Sequence, residues 1–389
     1  DKITTHNFGT VQGNVYYGPT PQDPETALKI YCRVLRDTCR HLPLRGIDVG
    51  ASDPTSGQQR LELAQVYVNL DTTTHVEALL DQNKKSKSPK PQRGEEEKTR
   101  PLGVLEATIQ NRRLVITGDP GSGKSTFFNF LALCLAAQQC EPESKWLARL
   151  SNWPEKETDL VPVMVVLRDF ARWLPSAIKK AEPRLLWDFI CERLAAQNLS
   201  FVKEALHHKL EQGQALVLLA GLDEIPSDAQ RKLMREAITA FARRYATARV
   251  LVTCRTLSYQ DPAWQLPGVP AFELAPLAKE KIFAFIKAWY AELGRVGLVK
   301  AQEAETLALR LQDSLQRPDL KRLAPNPLLL TVMALVHTHK GRLPDSRVLL
   351  YEETVDMLLW RWEQLKSEGE SEAPTLRQLL QEAGRSEGD

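Results

Sequence analysis

A chain of 389 residues exceeds the ~100 to 200 of an average domain and predicts two or three, while 43% apolar and 26% charged residues mark an ordinary globular protein. A net charge of +2 argues against a dedicated nucleic-acid surface, which would carry a far larger basic excess, so no nucleic-acid partner is expected. No apolar run reaches the ~18 to 20 residues of a membrane span, and no signal peptide opens the chain.

The absent initiator Met predicts an excerpt of a longer protein. The first twenty residues, DKITTHNFGTVQGNVYYGPT, alternate β-formers with glycine and polar residues, as an extended linker or a hairpin does. From Pro24 to Leu44, apolar Ala27, Leu28, Ile30, Tyr31, Val34, Leu35 and Leu42 recur at helical spacing and predict an amphipathic helix with Cys32 and Cys39 in its core. Gln65 to Leu70 alternates as a strand would. Asn83 to Arg100 has no aliphatic or aromatic residue, too little apolar surface to offset its ordering entropy, and reads as a disordered linker or exposed loop. Asp1 to Asn83 shows no nuclease, protease or membrane constellation.

At Pro101 the pattern changes. Strand-like apolar runs at Arg113 to Thr117, Val161 to Leu167, Ala215 to Leu219, Val250 to Thr253 and Ala271 to Leu274 alternate with helical stretches such as Ser227 to Tyr245. This predicts an α/β fold with a parallel sheet covered by helices. After Pro276 the chain reads all-helical: Lys279 to Leu293, Ala301 to Leu315, Pro327 to His337 and Val348 to Leu365. His337 and His339 form a lone H-x-H and read as helix-surface residues. Six cysteines (32, 39, 134, 140, 191 and 254) make no C-x-x-C pair and no cysteine–histidine cluster at zinc spacing, and read as buried thiols of a reducing, cytoplasmic compartment.

The chemistry-bearing run is Gly118-Asp119-Pro120-Gly121-Ser122-Gly123-Lys124-Ser125, which fits G-x-x-x-x-G-K-[ST] directly after the apolar Leu114-Val115-Ile116. Glycines let the backbone wrap a phosphate so that its N–H groups point inward. Lys124 supplies a point charge for the β and γ oxygens, and the Ser125 hydroxyl is a ligand for Mg²⁺. The apolar helix opening at Thr126 aims its positive end at the anion. Gly118, Pro120, Gly121, Ser122, Gly123, Lys124, Ser125 and Thr126 are therefore the candidate contacts of a nucleoside triphosphate.

Hydrolysis needs more: a carboxylate near the metal and a group that orients water. The apolar run Ala215 to Ala220 leads through Gly221-Leu222 into Asp223-Glu224, delivering carboxylates to the carboxyl edge of the sheet, and Arg249 to Thr253 runs into Cys254-Arg255 at the same edge. Asp223 and Glu224 are candidate catalytic residues, Asp223 also a candidate metal ligand, and Arg255 a candidate γ-phosphate sensor. The competing readings are the solvated start of the next helix for the two acids and a structural ion pair for Arg255.

In this order GDPGSGKST, LVLLAGLDEIP, VLVTCRT, FELAPL with Phe283, Phe285, Trp289 and Tyr290, and NPLLLT resemble the NACHT family of signalling ATPases, in the STAND class and of bacterial type, over about Pro101 to Glu363. The resemblance implies a P-loop NTPase core, then a helical domain and the opening of a winged helix (Val348 to Arg361, Thr375 to Leu380) that the chain does not complete. It implies an ATP/ADP switch with Mg²⁺, closed with ADP and homo-oligomeric with ATP once an unknown ligand triggers it, in a bacterial defence or regulatory receptor. Pro327 of Asn326-Pro327-Leu328 is then expected to touch the adenine. The implied organisation is a linker at 1–22, a small helix/strand region at 23–83, a charged linker at 84–100, the nucleotide-binding core at 101–262, a helical domain at 263–345 and the start of the winged helix at 346–389.

One departure matters. The family pattern places an aspartate at the strand end before the acidic pair, and here that position is Ala220. Either Asp223 compensates or hydrolysis is slow; in a second alignment Asp223 and Glu224 form the simple D-E pair of many ATPases. Two other functions stay open: a non-hydrolysing scaffold stabilised by nucleotide, and a nucleic-acid motor ATPase, against which the near-zero net charge stands.

Overall fold

The computed structural model describes residues 10–12, 15–21, 23–42, 61–77, 99–174, 181–225 and 227–354. The chain forms two compact units, one from residues 1–40 and 69–276 and the other from 41–68 and 277–389.

In the first unit, β1 (Thr10–Gln12) and β2 (Val15–Tyr17) make an antiparallel hairpin, as do β3 (Asp71–Glu77) and β4 (Thr99–Gly103). The main sheet contains β5 (Arg113–Thr117), β6 (Val161–Val166), β7 (Ala215–Ala220), β8 (Arg249–Cys254) and β9 (Ala271–Glu273) in the order β6-β7-β8-β5-β9. Every neighbouring pair is parallel. Helices cover both faces, which is why β7 and β8 read as unbroken apolar runs rather than alternating ones. Helix Lys124–Cys140 is buried almost all round from Phe127 to Ala137, as an apolar helix without a polar face must be.

The edge strand β6 carries Pro162. The Val161 N–H bonds toward β7, so the next residue faces outward, where the N–H that proline lacks is not needed. Its carbonyl accepts the Tyr31 hydroxyl at 2.9 Å from helix Pro24–Cys39. A second long-range anchor is Arg249, whose side chain is 4% exposed. It donates to both Glu157 carboxylate oxygens at 2.8 and 3.0 Å and to the carbonyls of Thr108, Ile109 and Asn111 at the end of helix Val104–Gln110.

The second unit is helical: Leu63–Val66, Lys279–Arg295, Ala301–Ser314, Pro318–Lys321 and Pro327–Lys340, with Trp289, Tyr290, Leu293, Leu311, Leu330 and Met333 in its core. Buried Glu292 accepts the Glu62 backbone N–H at 2.9 Å and both Arg295 nitrogens at 2.6 and 2.7 Å, fixing the 61–66 segment to the long helix.

Several expectations change. Gln65 to Leu70 is no strand: Leu63–Val66 is a helical turn with Leu63 and Val66 buried three apart, 67–70 has no regular structure, and pairing starts at Asp71. The polar run ending at Arg100 does not stay unstructured to its end, because Thr99 and Arg100 pair in β4 and Arg100 clasps Glu106 at 2.8 and 3.0 Å. His337 is not on the surface. It is 1% exposed with Nδ1 against the Tyr290 hydroxyl, whereas His339 is exposed. All six cysteines are free thiols, Cys140 and Cys191 half-buried. The charged stretch before Thr99, the Val348 to Leu365 helix beyond residue 354, and Thr375 to Leu380 lie outside the described residues.

Replacing Arg249 with Ala leaves Glu157 and three carbonyls without their buried partner. Urea unfolding should show a loss of about 3–5 kcal/mol, and Glu157→Gln should also destabilise, because both carboxylate oxygens accept from Arg249 and the amide turns one acceptor into a donor. A second outcome concerns acid. Burial, helped by the Arg310 charge, holds His337 neutral down to a pKa of about 4 against an ordinary 6.5. The unfolded chain takes up that proton first, so this stabilisation is complete above about pH 6.5 and is lost as pH falls through 4. Urea midpoints measured from pH 7 to 4 should fall more steeply for the parent than for His337→Gln.

Candidate nucleotide site

β5 ends at Thr117 and the loop turns at once. An added Cβ on Gly118 would lie 2.6 Å from Ser122 Oγ and 3.3 Å from Leu274 Cβ, so a side chain there would displace the loop. Gly121 and Gly123 sit at φ 78° and 95°, the left-handed region that favours glycine. Gly123 is the N-cap of helix Lys124–Cys140, and no side chain caps that end, which leaves the first-turn N–H groups for an anion. The Lys124 ammonium folds back onto its own loop, donating to the carbonyls of Gly118 at 2.6 Å and Asp119 at 2.9 Å and to Ser122 Oγ at 3.4 Å. Burial lowers its pKa from the usual 10.5, with Asp223 acting in the opposite direction.

The opposite wall comes from β7. Ala220 is its last paired residue, opposite Val166 of β6. Gly221, at φ 79°, then turns the chain into a 3₁₀ turn, Leu222–Glu224, pinned by buried Leu222 and by the Gly221 N–H on Thr253 Oγ1 at 3.0 Å. Asp223 is held at both oxygens: Oδ1 accepts the Arg255 backbone N–H at 3.0 Å and Oδ2 pairs with Arg255 Nε at 2.9 Å. Glu224 faces Arg168, 3.5 Å from its guanidinium. The two acids are not the start of the next helix, which is capped by Ser227 and begins at Asp228. Arg255 does form an ion pair, while its side chain stays 57% exposed.

These groups surround a cavity of about 430 Å³ at the carboxyl ends of the strands. Pro120, Gly121, Lys124, Ser125, Asp223, Glu224 and Arg255 line it. Gly118, Ser122, Gly123 and Thr126 shape the loop and helix start without lining it, and Pro327 opens helix Pro327–Lys340 of the second unit. Sequence reading missed Arg168, Asn129 and Val166, which also line the cavity. A signal for Arg168 was present: it follows β6 closely, as Asp223 follows β7 and Arg255 follows β8, and parallel strands deliver such residues to one rim.

For the divalent ion expected here the donor set is poor. Ser125 offers a hydroxyl, Ala220 puts a methyl group at the strand end, both Asp223 oxygens already accept from Arg255, and Glu224 is set against the Arg168 guanidinium at 3.5 Å. Among the described residues no three His, Cys, Asp or Glu side chains gather as a metal site. The side chains as arranged do not fit a resident metal.

A phosphate loop between a parallel strand and a helix, facing a cavity at the sheet's carboxyl edge, defines a P-loop NTPase fold. Residues 112–292 match the model of the NACHT domain, which supports a nucleotide-binding P-loop NTPase module. No curated protein matches the chain. Among solved structures, that of C. elegans PCH-2 is similar at a TM-score of 0.32 and 14% identity, across 67% of this chain and 65% of that one, so the chain spans less than two thirds of its length. No helix among the described residues is long and apolar enough to cross a membrane.

Lys124→Ala removes the one ammonium in the loop. A charge-assisted hydrogen bond contributes roughly 1.5–3 kcal/mol, so affinity for a fluorescent ATP analogue should fall about 10- to 100-fold while the circular dichroism spectrum stays unchanged. Parental affinity in this variant would refute the phosphate-loop assignment.

Proposed function

We propose that the chain is a nucleotide-gated signalling switch that reads ATP against ADP and self-associates in the ATP state, as a module of a bacterial defence or regulatory receptor. One observation carries this reading. Two guanidinium–carboxylate pairs, Arg255 with Asp223 and Arg168 with Glu224, border the cavity that the phosphate loop opens into. A γ-phosphate competes with Glu224 for the Arg168 guanidinium and meets the exposed side of Arg255, whose Nε stays on Asp223, since planar guanidinium binds phosphate and carboxylate alike. A diphosphate lacks that third group, so the pairs report which nucleotide is present. Freed Glu224 is then the residue to orient water. Ala220 makes the hydrolytic reset slow.

A second reading has its own observation. With a methyl group at the strand end and Asp223 occupied, the nucleotide can serve as a permanent structural ligand of a non-hydrolysing scaffold. Assembly state separates the two. Light scattering of the chain loaded with ADP and with a non-hydrolysable ATP analogue should give a larger mass with the analogue. The same mass in both favours the scaffold.

A further inference from the structure

The thin metal donor set has a counterpart in the cations of the same cavity. Lys124, Arg168 and Arg255 line it against only two carboxylates, Asp223 and Glu224. All three cations are within reach of rearrangement. Lys124 binds its own loop carbonyls, which a phosphate replaces with a charged acceptor. Arg168 is 49% exposed and its nearest carboxylate contacts are long, 3.5 Å to Glu224 and 3.9 Å to Asp169. Arg255 keeps an exposed guanidinium although its backbone and Nε are on Asp223.

For a Mg²⁺-bound triphosphate the protein usually contributes one or two carboxylates, directly or through water, and the phosphates supply the rest. Here the side chain at the strand end, Ala220, carries no oxygen. Drawing Asp223 onto a metal would compete with its two hydrogen bonds from Arg255, while Lys124, Arg168 and Arg255 already set three positive charges against the phosphates. Leaving Asp223 on Arg255 keeps that pair intact and leaves the phosphates to Lys124, the loop N–H groups and Arg168.

We propose that this site holds its nucleotide without a divalent ion, with Arg168 as a direct phosphate ligand that takes the place of the metal. The proposal rests on the nucleotide-site reading above and adds the means by which phosphate charge is balanced. Arg168 leaves Glu224 and donates to the terminal phosphate oxygens; no bond to the nucleotide is made or broken in this exchange.

Titration of the full chain with fluorescent ADP and fluorescent ATP, once in excess Mg²⁺ and once in EDTA, tests it directly on the parent. The expected dissociation constants agree within about threefold between the two conditions, and Arg168→Ala weakens ATP binding in EDTA about tenfold or more. Ala220→Asp, which restores a strand-end carboxylate, should gain a preference for Mg²⁺ of about tenfold. Parent binding about tenfold or more tighter with Mg²⁺ overturns the proposal while leaving the nucleotide site standing, as does Arg168→Ala binding like the parent in EDTA. No binding by the parent under either condition overturns both. The parental comparison needs no variant to fold.

Discussion

Parallel pairing is the constraint on which the site depends. With β6, β7, β8 and β5 adjacent and running the same way, every strand releases its chain at one rim, so residues far apart in sequence emerge side by side. The same pairing demands cover on both faces, which the apolar helix Lys124–Cys140 helps to supply, and that helix brings its uncapped N-terminus to the rim. Core and site are therefore one arrangement. Burying the helix is what aims its N–H groups at a phosphate.

The chemistry at the rim is a matter of charge balance. Asp223 and Glu224 are each set against a guanidinium, and the closer, better-formed pair is the one with Arg255. A carboxylate that accepts at both oxygens positions its arginine well and has fewer lone pairs left for a metal. Ala220 sharpens this asymmetry, because the β7 strand end offers no second carboxylate to do the other task.

The second unit is held by different means. Its core is apolar, but two buried polar contacts specify how the parts meet: Glu292 receives the Glu62 N–H and the Arg295 fork, and His337 receives the Tyr290 hydroxyl or donates to it according to tautomer. Through Glu292, a segment near the start of the chain belongs with helices near its end. Such contacts are costly when half made, which gives buried polar groups their power to select one arrangement.

The sequence by itself determined the phosphate loop, the strands and helices around it and the missing strand-end carboxylate, because loop chemistry and apolar periodicity are local properties. It misread Gln65 to Leu70, where alternation was incidental and burial at Leu63 and Val66 follows a helical turn. It misread His337 as well, since a lone histidine on a helix carries no local sign of which face the core will take. Only the tertiary structure decided that Arg168 meets Glu224, that Asp223 gives both oxygens to Arg255 across 32 positions of sequence, and that Arg249 closes the end of helix Val104–Gln110. These pairings arise where strand order and helix packing bring distant residues together, and no stretch of neighbouring residues encodes them.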